Sequence, residues 1–209
     1  METTTEMRQR NGSGAAVLPG SGPEAVRPGS GAGDAGDGTS HAFRDFMSSY
    51  FTGVSIVTAV DPAGRPHGLT CSSLTSVAMD PPTLQVCLAD RSGTLAALRA
   101  QGTFAVNLLH QGGRGTASVF ASTRPDRFER TAWRHTPTHG LPWLHEDAYA
   151  VAECEVAETL TIGDHVAVFG RVRHVENGAG RPLLYGRRGF LSLHPTEATE
   201  PVRTEGAAR

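Results

Sequence analysis

The sequence predicts a mainly β fold: an antiparallel barrel of six or seven strands with two or three short helices at its flanks. Short apolar and β-branched runs recur between Pro-, Gly- and Asp-rich turns from Gly53 onward. Strands and helices do not alternate in the way a parallel sheet requires. One strand-like run, Gly68 to Val77, carries five hydroxyl side chains in ten residues: Thr70, Ser72, Ser73, Thr75 and Ser76. A strand that only filled a core has no use for so many. Hydroxyls both donate and accept, so they suit the floor of a polar ligand site.

The ends of the chain read differently. The first 40 residues hold nine of the 25 glycines, three prolines and no aromatic residue. That composition cannot bury enough apolar surface to offset the entropy of ordering. Residues 1–40 are therefore expected to form a disordered arm, residues 41–194 a single domain and residues 195–209 a flexible polar tail. The net charge of −2 gives no bulk attraction for nucleic acid or an acidic membrane. All 19 basic residues are arginine, which excludes a lysine Schiff base and leaves phosphate to arginine, hydroxyls and backbone N–H groups. Three cysteines without CxxC spacing suit a reducing compartment, not a disulfide framework or a zinc site. No apolar run is long enough to span a membrane and no secretory h-region precedes the domain, so a cytoplasmic location is expected.

Ser40 reads as a helix N-cap, and Phe43, Phe46, Met47 and Tyr50 recur at the spacing of one helical face, expected to pack on the core. Gly53–Val60 is a strand and Asp61–Pro66 a turn, so the hydroxyl strand should return antiparallel as a hairpin. Asp80-Pro81-Pro82 stops it, because proline cannot donate to a ladder. Thr83–Leu88 is a third strand. Ser92 caps a short helix over Leu95–Ala100 closed by Gly102, and a helix start with Arg91 beside it is a ready anion site. In the strand Thr103–Leu109, Asn107 is either a hydrogen-bonded core amide or a ligand contact. Gly112-Gly113-Arg114-Gly115 lacks the ending of a phosphate-binding P-loop. A helix follows over Thr116–Ala121.

Residues 122–147 form a long irregular segment of the kind that serves as a lid or binding loop. Its histidines, His135, His139 and His145, lack the spacing of a metal site, and no metal is expected. Tyr149–Thr159 alternates as a half-exposed strand, Ile162–His165 turns, His165–Val175 returns, Asn177-Gly178 turns again, and Pro182–Gly186 begins a last strand.

Taken in order, several of these stretches resemble the flavin reductase-like (FMN-binding split-barrel) family, the small reductase components of two-component flavin-dependent monooxygenases. The resemblance rests on Phe43-Arg44 with Met47, Gly53–Thr58, Gly68–Ser73 through Ser76, Asp80-Pro81-Pro82, Phe104–Asn107, Gly163-Asp164-His165, Gly170-Arg171-Val172 and Pro182–Tyr185. It implies a Greek-key split β-barrel, a homodimer, FMN (or FAD) as flavin, and NADH or NADPH as hydride donor. It further implies that reduced flavin is supplied to a partner monooxygenase. The family's hydroxyl strand most often reads Thr-Ala-Asn-Ser, where this chain has Thr70-Cys71-Ser72-Ser73.

On that reading the small side chains and backbone edge of Thr70–Ser73 face the flavin ring. Thr75, Ser76, Arg91, Ser92 and Thr94 take the ribityl chain and phosphate. Asn107 is a further candidate contact, Tyr185 either stacks near the ring or packs in the core, and His165 either positions the nicotinamide or caps the turn at Asp164. No catalytic acid or base is obligatory, because the paired cofactors carry the hydride chemistry. Two alternatives stay open: a non-catalytic flavin-binding electron carrier, and a split-barrel oxidase of a vitamin B6 phosphate, which the absence of lysine disfavours.

Overall fold

The structure, a computed structural model, describes residues 36–191. The expected tail and nearly all of the expected arm lie outside the described residues. Helix α1 spans Gly36–Ser48, so it starts a turn before Ser40, which lies inside the helix and does not open it. In chain order there follow β1 (Thr52–Gly53), β2 (Ser55–Val60), β3 (Pro66–Cys71), β4 (Thr75–Met79), β5 (Pro82–Ala89), α2 (Gly93–Gln101) and β6 (Thr103–Leu109). After a 3-10 turn at Gln111–Gly113 come α3 (Arg114–Ala121), β7 (Arg134–His135), β8 (Pro142–Trp143), β9 (Ala148–Ile162), β10 (His165–Asn177), β11 (Leu184–Gly186) and β12 (Gly189–Leu191).

Seven strands form one antiparallel sheet in the order β3-β2-β6-β9-β10-β5-β4. The hairpins β2–β3 and β4–β5 stand at opposite ends of that order, yet only Ser72, Ser73 and Leu74 separate β3 from β4. Three residues cannot span an open seven-stranded sheet, because adjacent strands lie about 4.8 Å apart and each residue reaches about 3.5 Å at most. The sheet must therefore curl until its edges meet. The single hydroxyl strand expected over Gly68–Val77 is in fact two strands with the barrel seam between them.

Ser73 makes the seam. The β4–β5 ladder ends at Thr75 opposite Gln85, which would put residue 73 opposite Cys87. There the Ser73 hydroxyl stands in for the backbone, accepting from the Cys87 N–H at 2.8 Å and donating to the Cys87 carbonyl at 3.1 Å. No glycine or proline marks the break; the local bond of a serine side chain competes with the ladder.

The strands bury both faces. Val57 and Ala59 of β2, Phe104 and Val106 of β6, Cys154 of β9 and Val166 and Val168 of β10 fill the barrel, with Leu95 and Leu98 of α2 closing it. On the other face Ile56, Leu109, Ala117, Phe120 and Leu144 form a second cluster beneath α3. Gly68 permits that contact, since a Cβ there would lie 2.8 Å from a ring carbon of Phe120 and 3.1 Å from one of Phe128. The α2 ends are as expected: Ser92 accepts from the Leu95 N–H at 3.4 Å, and Gly102 closes the helix at φ +71°.

The apolar face of α1 is a correction. Phe43, Phe46, Met47 and Tyr50 are exposed, with Phe46 at 72%, and do not join the core. Periodicity reports that a face is apolar, not what covers it. The helix is held instead by Arg188 on Asp45 at 2.7 Å and by the Arg187 N–H on the Ser48 carbonyl.

The long segment after α3 is fastened by a buried carboxylate. Glu153 on β9 is fully buried and accepts from the Thr136 hydroxyl at 2.7 Å and from the backbone N–H groups of Thr138 and His139 at 3.1 and 2.6 Å. Burial opposes its ionisation, but these donors outweigh that and hold its pKa below the ordinary value. A depressed folded-state pKa adds stability above the unfolded value, about pH 4.3, that disappears as pH falls through the folded value. Glu153→Gln is expected to lower stability near neutral pH by about 1–3 kcal/mol. The gap to the unaltered chain should close on acidification in thermal melts run between neutrality and pH 3; a gap independent of pH would assign the loss to packing.

Candidate functional site

Two concavities meet at the seam. One, of about 590 Å³, lies between the start of α2, the ends of β3 and β5, the C-terminus of α3 and the β9–β10 turn. It gathers Thr70, Arg91, Ser92, Thr94 and His165, residues remote in sequence. Three contacts bring them together. Strands β5 and β10 pair Ala89 with His165. The Asp90 N–H donates to the Asp164 carbonyl at 3.0 Å, tying the loop before α2 to the β9–β10 turn. Gly163 makes that turn at φ +59°, a conformation that favours glycine.

The electrostatics favour an anion. The first N–H groups of α2 have no partners within the helix, and Ser92 satisfies only that of Leu95. The Arg91 side chain is 95% exposed, with Asp90 at 4.0 Å its ion-pair partner, so it is free to swing onto a ligand. Arg127 stands across the cleft and donates to the Gly68 carbonyl at 2.9 Å. His165 places Nδ1 2.8 Å from an Asp164 carboxylate oxygen, and that hydrogen bond holds the carboxylate's pKa below its ordinary value. A donor Nδ1 leaves Nε2 as the ring's second polar atom.

The second concavity, of about 850 Å³, holds Ser72, Ser73, Thr75 and Tyr185 beneath the α1 side chains Phe43, Met47 and Tyr50. Cys87 lines both spaces, so they adjoin across its position on β5. Tyr185 packs edge-on against Phe190 with ring centres 5.5 Å apart.

Several sequence expectations are not met. Asn107 is completely buried: its amide donates towards the Ile56 carbonyl, the Thr58 hydroxyl and the Pro142 carbonyl, and its oxygen accepts from the Leu144 N–H. It is the core amide, with no reach to a ligand. Cys71 is 4% exposed and belongs to the barrel interior, where burial raises its thiol pKa, so it presents no side chain to either space. Ser76 lies exposed on the edge strand β4 and lines neither space. Thr70 does line the first cleft, but its hydroxyl donates to the Ala117 carbonyl at 2.7 Å and so docks α3. Conversely, His67 lines the first cleft, as do Ser122, Thr123 and Arg127 from the segment expected to form a lid or binding loop. The Phe-Ala-Ser-Thr-Arg run from Phe120 carried the only signal, a hydroxyl pair closing a helix in a segment already suspected as a binding loop.

Comparison with known proteins gives a consistent result. A family description for the flavin reductase like domain matches residues 47–194. A flavin reductase (NADPH) of Lentzea aerocolonigenes is 51% identical over 152 residues, spanning 73% of this chain and 89% of that protein. A flavin reductase (NADH) of Kitasatospora aureofaciens is 40% identical over 172 residues, 78% of this chain and 89% of that one. Among solved structures, the nitrilotriacetate monooxygenase component B homologue of Mycobacterium thermoresistibile superposes with a TM-score of 0.73 at 32% identity, covering 78% of this chain and 90% of that chain.

Proposed function

This chain belongs to the flavin reductase-like family, and from that premise we propose that it is an NAD(P)H-dependent flavin reductase that reduces FMN or FAD and passes the reduced flavin to a separate monooxygenase. The observation that supports this reading best is the joined cleft. An anion-ready helix start and an exposed arginine sit at one end, and a histidine turn is bound to the same loop. The donor set suits a phosphate: helix N–H groups, the Ser92 and Thr94 hydroxyls and a guanidinium, with no lysine needed. The volume lies within the range of nucleotide-sized ligand sites.

A bound flavin supplies the redox chemistry by accepting a hydride from the nicotinamide. The chain's part is to bind, orient and exclude water. Arg91 and the α2 N–H groups anchor the phosphate end. Thr70 lines the first cleft and Ser72 and Ser73 the second, so the backbone of Thr70–Ser73 would hold the flavin ring. The Asp164 carboxylate holds the His165 ring through Nδ1, and His165 would be the residue that positions the nicotinamide. No side chain has to move a proton; the Cys154 thiol is buried, and burial pushes it up to about 12.

The exposed α1 face extends this reading. Phe43, Phe46, Met47, Tyr50 and Phe51, with Val77 and Met79 of the edge strand β4, are large apolar side chains left exposed, the kind of surface that marks an interaction site when it is contiguous. A second copy of the chain is the occupant proposed, in a homodimer that also covers the second concavity. Sedimentation equilibrium should give twice the chain mass, and Phe46→Asp should shift it towards the monomer; a monomeric unaltered protein would end this part of the reading.

Catalytic loss of NADH or NADPH absorbance on mixing protein with FMN or FAD is the expected result. A single stoichiometric reduction would support an electron carrier instead. Arg91→Ala should weaken flavin binding by about tenfold or more, as expected for a charge-assisted contact of roughly 1.5–3 kcal/mol. His165→Ala should raise the Michaelis constant for the nicotinamide and leave flavin affinity nearly unchanged; lost flavin binding in that variant would move His165 to the flavin side.

A further inference from the structure

Among the described residues, the second concavity is lined by one side-chain amide, that of Gln85 on β5. Side chains alternate along that strand. Leu84, Val86 and Leu88 belong to the barrel interior, so Gln85 and Cys87 point out of it, into the space shared with Ser72, Ser73 and Thr75. Gln85 stands opposite Thr75, where the β4–β5 ladder ends at the seam, so its backbone is fixed. Its side chain is not. The residue is half-buried, and its amide makes one hydrogen bond among the described residues, from Nε2 to the Cys87 sulfur at 3.3 Å. A thiol sulfur is a weak acceptor, and the amide oxygen has no partner there. Two of its polar neighbours are already committed: Ser73 to the Cys87 backbone, and Arg188 to Asp45 at 2.7 Å. Gln85 thus offers the concavity a donor and an acceptor together.

A flavin ring ends in a pyrimidine edge that runs carbonyl, N3–H, carbonyl: acceptor, donor, acceptor. A primary amide matches two neighbouring atoms of such an edge at once, its N–H donating and its oxygen accepting, as glutamine does on adenine. Arginine has no acceptor to offer N3–H. We infer that Gln85 reads this edge of the flavin ring and is the side chain that distinguishes an N3–H from any other group at that position. The inference rests on the reading of the first cleft as the flavin phosphate site. Ala89 lines that cleft and stands four residues along β5 from Gln85, about 13 Å of strand. That is a separation one flavin covers between its phosphate and its ring, and Cys87, which lines both spaces, lies between the two. Recognition then divides along the strand: charge at the α2 end, ring edge at Gln85.

The test measures, by equilibrium dialysis on the full chain without nicotinamide, dissociation constants of FMN and of 3-methyl-FMN, in which a methyl group replaces the N3 proton. Gln85→Leu and Gln85→Met are the variants. Both remove the amide at similar volume, and two are made so that misfolding of one, seen by circular dichroism, leaves the other to decide. The unaltered chain should bind FMN about tenfold or more tightly than 3-methyl-FMN. Each folded variant should bind FMN about tenfold more weakly and lose the preference between the two flavins. Arg91→Ala should weaken both flavins and keep the preference, which separates the ring edge from the phosphate. No preference in the unaltered chain, unchanged FMN affinity in the Gln85 variants, or a Gln85 variant that keeps the preference would each overturn the role of Gln85 alone. If the unaltered chain binds neither flavin, the reading of the first cleft fails and that of Gln85 falls with it.

Discussion

The architecture depends on one hydroxyl group. Ser73 closes the barrel by occupying, with its side chain, the place opposite Cys87 that a backbone pair would otherwise fill. Without that hydroxyl the Cys87 N–H and carbonyl would lose their protein partner at the seam. The substitution also shapes the surface. A backbone ladder would have carried the sheet flat across the gap, whereas a side-chain bridge leaves the chain free to step from one sheet edge to the other. That step leaves a concavity on each side of Cys87.

Buried polar groups do the remaining positioning, each by holding a loop to the barrel. Asn107 ties β2 and the Pro142–Leu144 stretch to β6. Glu153 gathers the Thr136–His139 stretch, and Asp61 organises the β2–β3 turn, its own pKa held low by the Arg65 N–H and by further donors from Arg65, His67 and Ala63. All three are single side chains that accept or donate several bonds at once, which makes irregular backbone affordable near a core. Of these, Asp61 bears on the cleft through His67, while Arg91 is left exposed where a ligand would order it.

Different parts of the fold were legible to different degrees. The β2–β3 hairpin, the capped α2 helix and the β9–β10 return could be read from turn chemistry and alternation, because those signals are local. The break at Ser72–Leu74 could not, since serine and leucine sit equally well in a strand and the break exists only because Cys87 arrives from β5. Asn107 shows the same limit from the other side. An amide in an apolar run announces that it must be satisfied, but whether by ligand or by loop depends on where residues 142–144 pass.

By itself the sequence determined the fold class, the family, the chemistry of the hydroxyl-rich stretch and the anion-ready start of α2. The family came from the resemblance of several short motifs taken in order; the rest follow from composition, spacing and short-range hydrogen bonding. Only the tertiary structure decided that the hydroxyl stretch is two strands joined at a seam and that its serines divide between two spaces. It alone showed that Arg91 and His165 share a cleft extended by His67 and Arg127, and that the α1 face lies outside the core. Each of these turns on contacts between residues far apart in the chain, and a hydroxyl or an aromatic ring carries no local mark of what it will meet.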